Sequence, residues 1–160
     1  MRSSFLVCSL IGGLAFAHNF SAERLAAKMD QYSLIIPHAR TYIRHCAPYY
    51  ATGYESCTVH NAGPYFIQLA VRSPLLAQLR IQLVVGHGYG PHAFRRYGSP
   101  ALLAFLMAVT NSEKGGQRLF KDLSAHMFGT SAQWQDVRVT QIFRPHRYLW
   151  RAEVISMKGG

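Results

Sequence analysis

Thirteen arginines, four lysines and only seven acids equip this chain to hold anions. Arginine grips phosphate with a planar fork and stacks on flat rings, whereas lysine offers a point charge. Between Asn61 and Asn111 no Asp or Glu occurs, so Arg72, Arg80, Arg95 and Arg96 have no acid near them in sequence. Phe94 and Tyr97 flank Arg95 and Arg96, and Tyr89 and His92 precede them. Charge mixed with planar surface suits phosphates and unpaired bases, the two routes by which proteins hold RNA. A second cluster joins Arg144, His146, Arg147 and Arg151 with Tyr148 and Trp150. On a strand, Arg147 and Arg151 share one face while Tyr148 and Trp150 share the other. Arg138 lies close to this cluster, and Arg40 and Arg44 extend the first surface. The candidate RNA-binding residues are therefore Arg40, Arg44, Arg72, Arg80, Tyr89, His92, Arg95, Arg96, Tyr97, Arg144, Arg147 and Arg151. The plainer alternative makes Phe94 and Tyr97 core residues and the arginines merely solvated.

Other chemistry is poorly supplied. Glu23, Asp30, Glu55, Glu113, Asp122, Asp136 and Glu153 stand singly, without paired-carboxylate spacing. No GxSxG nucleophile motif occurs. His87 and His92 share a glycine-rich turn, with neither HExxH nor a nearby carboxylate, so solvent or RNA contact is their default role. Gly86, Gly88 and Gly90 lack a following GK[ST] and do not link a strand to a helix, which argues against a nucleotide cradle. The expectation is a protein with no catalytic residues, no metal and no cofactor.

Composition agrees with a folded, basic domain. A 49% hydrophobic fraction over 160 residues is enough for a core, and the formal charge of +10 attracts polyanions such as nucleic acid or an anionic membrane surface. Cys8, Cys46 and Cys57 show no CxxC spacing, which disfavours structural zinc. Cys46 and Cys57 pair if the protein is exported and otherwise stand as free buried thiols. The amino terminus also has two readings. Residues 1–17 resemble a secretory signal, with Arg2, an apolar run and Ala15-Phe16-Ala17. Alternatively Ser4 to Leu10 form a buried strand that Gly12-Gly13 ends, which fits the elements that follow.

Those elements must position the arginines. Ser21 is a helix cap, Glu23 suits the first turn, and Ala22, Leu25, Ala26 and Met29 recur at helical spacing. Ala39 to Ala47 read as a half-exposed strand that Pro48 breaks, and Tyr54 to Val59 resume it. Pro64 to Arg72 read as the clearest strand. Ser73-Pro74 then predict a helix start, with Leu75, Leu76, Leu79 and Leu83 as its buried face. Ala93 to Tyr97 return as a strand. Beyond Gly98, helices are expected over 101–110 and 118–128, separated by Gly115-Gly116, and strands over 137–143 and 148–155.

The resulting βαββαβ order resembles the family of ribosomal protein six of the small subunit, particularly its mitochondrial members. Phe5 to Leu10 match its first strand and Ser21 to Met29 its first helix. His60-Asn61-Ala62-Gly63-Pro64-Tyr65-Phe66 match the glycine-aromatic approach to its third strand. Ser73-Pro74 with Leu75 to Leu83 match its second helix, and Ala93 to Arg96 its last strand. The resemblance covers residues 1–98 by pattern and spacing; the His87–His92 turn, Pro48 and the tail from Ser99 depart from the family. It implies an α+β, ferredoxin-like βαββαβ sandwich with a C-terminal α/β extension, residues 1–98 forming the rRNA-binding domain and 99–160 the extension. It further implies a structural constituent of the mitochondrial small ribosomal subunit. Its partners would be small-subunit rRNA, ribosomal protein eighteen of that subunit and other mitoribosomal proteins. The alternatives are a secreted basic binding protein with signal 1–17 and a Cys46–Cys57 disulfide, or an accessory subunit of a mitochondrial membrane complex.

Overall fold

A single antiparallel sheet backed by helices on one face forms the structure, a computed structural model that describes residues 21–37, 41–49, 54–61, 65–73, 76–83, 98–125, 130–144 and 149–156. The described elements are α1 (Ala22–Ser33), β1 (Thr41–Tyr49), β2 (Tyr54–Asn61), β3 (Tyr65–Ser73), β4 (Leu76–Leu83), α2 (Ser99–Thr110), α3 (Glu113–Ser124), β5 (Ser131–Trp134), β6 (Val137–Arg144) and β7 (Leu149–Ser156). The seven strands lie in the order β1-β2-β3-β4-β7-β6-β5. The α+β class holds. Among the described residues the element order is αββββααβββ and not βαββαβ.

The first helix starts as its sequence predicts. Ser21 Oγ accepts the Arg24 N–H at 3.3 Å, and Ala22, Leu25, Ala26 and Met29 form the buried stripe. From the sheet, Glu55 Oε2 accepts the Ala22 N–H at 3.2 Å. A carboxylate at a helix N-terminus is favoured by the helix dipole, so Glu55 ties β2 to α1.

The expected helix over Leu75–Leu83 is instead strand β4, paired with β3 on one side and β7 on the other. The reason is visible in the residues. Ala77, Leu79, Ile81 and Leu83 alternate with Gln78, Arg80 and Gln82, a period of two that competes with the leucine spacing of a helix. Two flanking strands satisfy the backbone of β4 on both sides, and that non-local pairing decides the contest. β4 pairs with β7 from Leu76 opposite Ile155 to Gln82 opposite Leu149. One ladder thus joins residues on both sides of Gly98, and one apolar core draws on both.

Three further expectations change. Pro48 does not break β1, which stays in register with β2 through Pro48 opposite Glu55 and Tyr49 opposite Tyr54. β1 is an edge strand, where a residue without an N–H is tolerated. The predicted strand over 137–143 gains a partner, β5, through a tight turn at Gln135-Asp136 in which Gln135 has φ 51°. Gly115 and Gly116 do not separate two helices; both lie inside α3, which begins at Glu113. The expected strands at 4–10 and 93–97 and the turn at 87–92 fall outside the described residues.

α2 (SPALLAFLMAVT) is buried along almost its whole length and packs against both α1 and α3, as expected of a helix apolar all round. Asn111 ends it in the left-handed region, φ 50° and ψ 33°. Its N–H donates to the Ala108 carbonyl at 3.3 Å and that of Ser112 to Met107 at 3.2 Å, the Schellman pattern. Ser112 caps α3 at once, its Oγ accepting the Gly115 N–H at 3.0 Å. Opposite this hairpin, Gln141 is buried in β6. Its Nε2 donates to the Leu123 carbonyl at 2.7 Å and to Thr130 Oγ1 at 3.1 Å, fastening the end of α3 to the sheet. Gln141→Leu removes both bonds from a buried site and should cost about 1–3 kcal/mol. Urea unfolding checks this; an unchanged midpoint would show that the amide contributes nothing.

Candidate nucleic-acid interface

The register sorts the sheet into alternating rungs. Cys57, Leu69, Leu79, Ala152 and Gln141 sit opposite one another across β2, β3, β4, β7 and β6. Cys57, Leu69 and Ala152 are fully buried, so this rung lies on the helix-covered face. One residue along, Thr58, Gln68, Arg80, Arg151 and Ile142 form the next rung. Strand alternation assigns it to the other face. Thr58 and Gln68 are half-buried, and Ile142 is exposed at 43%.

Two arginines from separate sequence clusters therefore meet. Arg80 of β4 is the direct register partner of Arg151 of β7, at the centre of the sheet. Arg144 lies on the same face, two residues from Ile142 along β6 and paired with Leu149. Arg138, opposite Ile155 and Gln133, also belongs to that face and is exposed. Against these four arginines, Glu153 is the acid placed on the described rungs of the face, opposite Gln78 and Thr140. Arg44 and Arg72 occupy irregularities in β1 and β3, between Ile43 and His45 and between Val71 and Ser73. Bulges re-aim a residue relative to its strand, so these two do not continue the Arg80 rung. Arg40, Tyr89, His92, Arg95, Arg96, Tyr97 and Arg147 lie outside the described residues.

Away from this face, two cations are engaged locally. Arg118 Nε meets Asp122 Oδ2 at 3.1 Å on α3, an exposed i,i+4 pair worth a few tenths of a kcal/mol. Lys28 Nζ donates to Asn111 Oδ1 at 2.9 Å. Among the described residues no group of three or more His, Cys, Asp or Glu could hold a metal ion. No described helix is long and apolar enough to cross a membrane.

Comparison with known families, curated proteins and solved structures finds no match.

One covalent bond crosses the edge of the sheet. Cys46 of β1 and Cys57 of β2 are register partners joined by a disulfide, with Cα atoms 4.0 Å apart. Cys57 is fully buried and Cys46 half-buried beneath α1 and the core. Of the two states open to these cysteines in the sequence, the paired one is present.

Proposed function

We propose that this chain is a non-catalytic module that binds RNA through its basic sheet face. The observation that supports it is the direct pairing of Arg80 with Arg151. Like charges opposite each other destabilise a sheet by about 0.2–1 kcal/mol, and a phosphate lying across the pair relieves that repulsion. The +10 charge raises the local concentration of any polyanion around the same face. Binding of a short single-stranded RNA should weaken steeply with salt. If the four arginines of this face each meet one phosphate, the slope of log affinity against log salt should be about −3. Filter binding across a potassium chloride series measures it; a flat profile, or no binding at low salt, removes the reading.

Placement in the mitochondrial small ribosomal subunit, on rRNA and beside ribosomal protein eighteen, is a narrower form of this proposal. It came with a ferredoxin-like core, and strand β4 now stands where that core's second helix was expected. Its remaining support is the arginine-rich composition. Sedimentation of the native protein with small subunits, abolished by ribonuclease, is the result it requires.

A second reading concerns the compartment, and the Cys46–Cys57 disulfide favours it. Disulfides persist where the surroundings are oxidising. On this reading residues 1–17 are a cleaved signal and the module works outside the reducing interior of the cell. Mass spectrometry of the mature chain decides: a start at His18 with the bond closed supports export, and two free thiols in the native protein argue against it.

A further inference from the structure

We infer that the ligand is single-stranded RNA laid across the open face of the sheet, an inference that rests on the RNA-binding reading above. Three kinds of group that a single strand requires fall on adjacent positions of that face. The first is charge, at Arg80 and Arg151. The second is hydrogen-bonding amide: Gln68 pairs with Arg80 in register, and Gln78 and Gln82 lie two residues either side of Arg80 on β4. The third is planar surface. Phe66 is the partner of Gln82, and on the same side of the outer strands Tyr42 pairs with His60. Rungs on one face are about 7 Å apart along a strand, and neighbouring strands are about 4.8 Å apart, so these positions form one contiguous field.

The combination selects among polyanions. Arginine alone would serve a duplex, a sulfated glycan or a single strand equally, because all present oxyanions. Amides read base edges and aromatics stack on base faces, and both are accessible only when bases are unpaired. A sulfated glycan offers neither flat bases nor base edges. A second copy of the chain is disfavoured by charge, since stacking this face on itself would bring one Arg80–Arg151 pair against another. The face is also uncovered by the chain's own described elements: the helices occupy the opposite side, and Arg138 and Ile142 are exposed. Of the residues singled out in the sequence, the register brings Arg80 and Arg151 together at the β4–β7 seam, while those at 87–97 lie outside the described residues.

Fluorescence anisotropy on the full chain tests this with three probes: a twelve-nucleotide single-stranded RNA, its duplex and heparin. Arg80→Gln/Arg151→Gln should reduce the steepness of the salt slope for the single strand by about 1.4, two phosphates' worth. Phe66→Leu should weaken the single strand about fivefold or more and leave heparin unchanged. Arg118→Gln, whose arginine is engaged by Asp122, is the control and should bind as the parent. A salt slope reports phosphate contacts, so it separates their loss from damage to the fold. Arg80→Lys/Arg151→Lys should keep the parental slope. If the parent binds single-stranded RNA and both the double glutamine and Phe66 variants match it, the face is wrong: this inference and the sheet-face site both fall, and RNA binding belongs elsewhere on the chain. If the parent binds no RNA, that earlier reading itself fails. Equal or tighter binding of heparin or duplex than of the single strand overturns the inference, as does a dimer that the double glutamine variant dissociates.

Discussion

Gly116→Ala is expected to destabilise the protein by about 2–3 kcal/mol, although alanine is the better helix former by about 1 kcal/mol. The reason is the crossing of α2 and α3. A Cβ at Gly116 would run into Met107 Cγ and stand 2.6 Å from Met107 N and 2.7 Å from Met107 Cα. The Cγ belongs to a flexible side chain and can swing aside, but the N and Cα are backbone of α2. They can yield only if the helices part. Parting them loosens Leu119 and Leu123, both buried in the main core, and disturbs Met107, buried where Ile36 and Ala104 meet. Gly115→Ala is the informative comparison. There the nearest atoms are Trp134 Nε1 at 2.8 Å and Thr110 Cβ at 3.0 Å, both in side chains. Rotation of Trp134 can absorb part of that clash, so the cost should be smaller. Chemical denaturation of both variants checks the ranking; a Gly116→Ala protein as stable as the parent would mean the two helices have room to spare.

The same glycines show where sequence reasoning reaches its limit. In the chain Gly115-Gly116 reads as punctuation, because glycine weakens a helix locally. Their use is non-local: they let one helix backbone lie on another, and nothing within four residues of Gly116 points to Met107. By contrast, the start of α1 was legible because a cap is local chemistry, Ser21 serving Arg24 three residues on. The strands β3, β6 and β7 were legible from their alternation. β4 was readable in two ways. Its leucines suit a helix and its glutamines and Arg80 suit a strand, and only the neighbours β3 and β7 select between them. β5 was missed because four residues are too few for a pattern, and its turn uses Gln135 at positive φ where Gly or Asn would have signalled a hairpin. The site followed the same logic. Arg80 and Arg151 were both singled out, but as members of different clusters, since their meeting depends on β4 being a strand. Tyr42 and Gln68 drew no attention, and His60 and Phe66 only as the ends of a glycine-aromatic stretch, because the face these four share exists only once the register is known.

Opening the Cys46–Cys57 disulfide is expected to lower stability by about 2.7 kcal/mol, the chain-entropy value for a closed loop of this size. The sequence separation is 11 residues. Here the bond acts at an edge of the sheet. Among the described residues β1 is an edge strand with β2 as its sole strand neighbour, it carries Pro48, which lacks an N–H, and its register slips between Ile43 and His45. α1 packs on β1 and β2, so a loosened edge also exposes the stripe that α1 buries. The loss should therefore be uneven. Amide exchange in β1 and β2 should accelerate about a hundredfold on reduction, the equivalent of 2.7 kcal/mol, while β6 and β7 keep most of their protection. Cys46→Ala/Cys57→Ala is the matched variant, since serine at Cys57 would place a hydroxyl in a fully buried position. Uniform acceleration across all seven strands would show that the sheet opens only as a whole. RNA binding gives an independent readout of the same asymmetry. Reduction should weaken contacts that depend on Tyr42 and His60, at the β1–β2 edge, and leave the salt slope set by Arg80 and Arg151 almost unchanged. A chain that lost both together would have its edge and its β4–β7 seam in one cooperative unit, and the disulfide would then hold the whole binding face and not its margin alone.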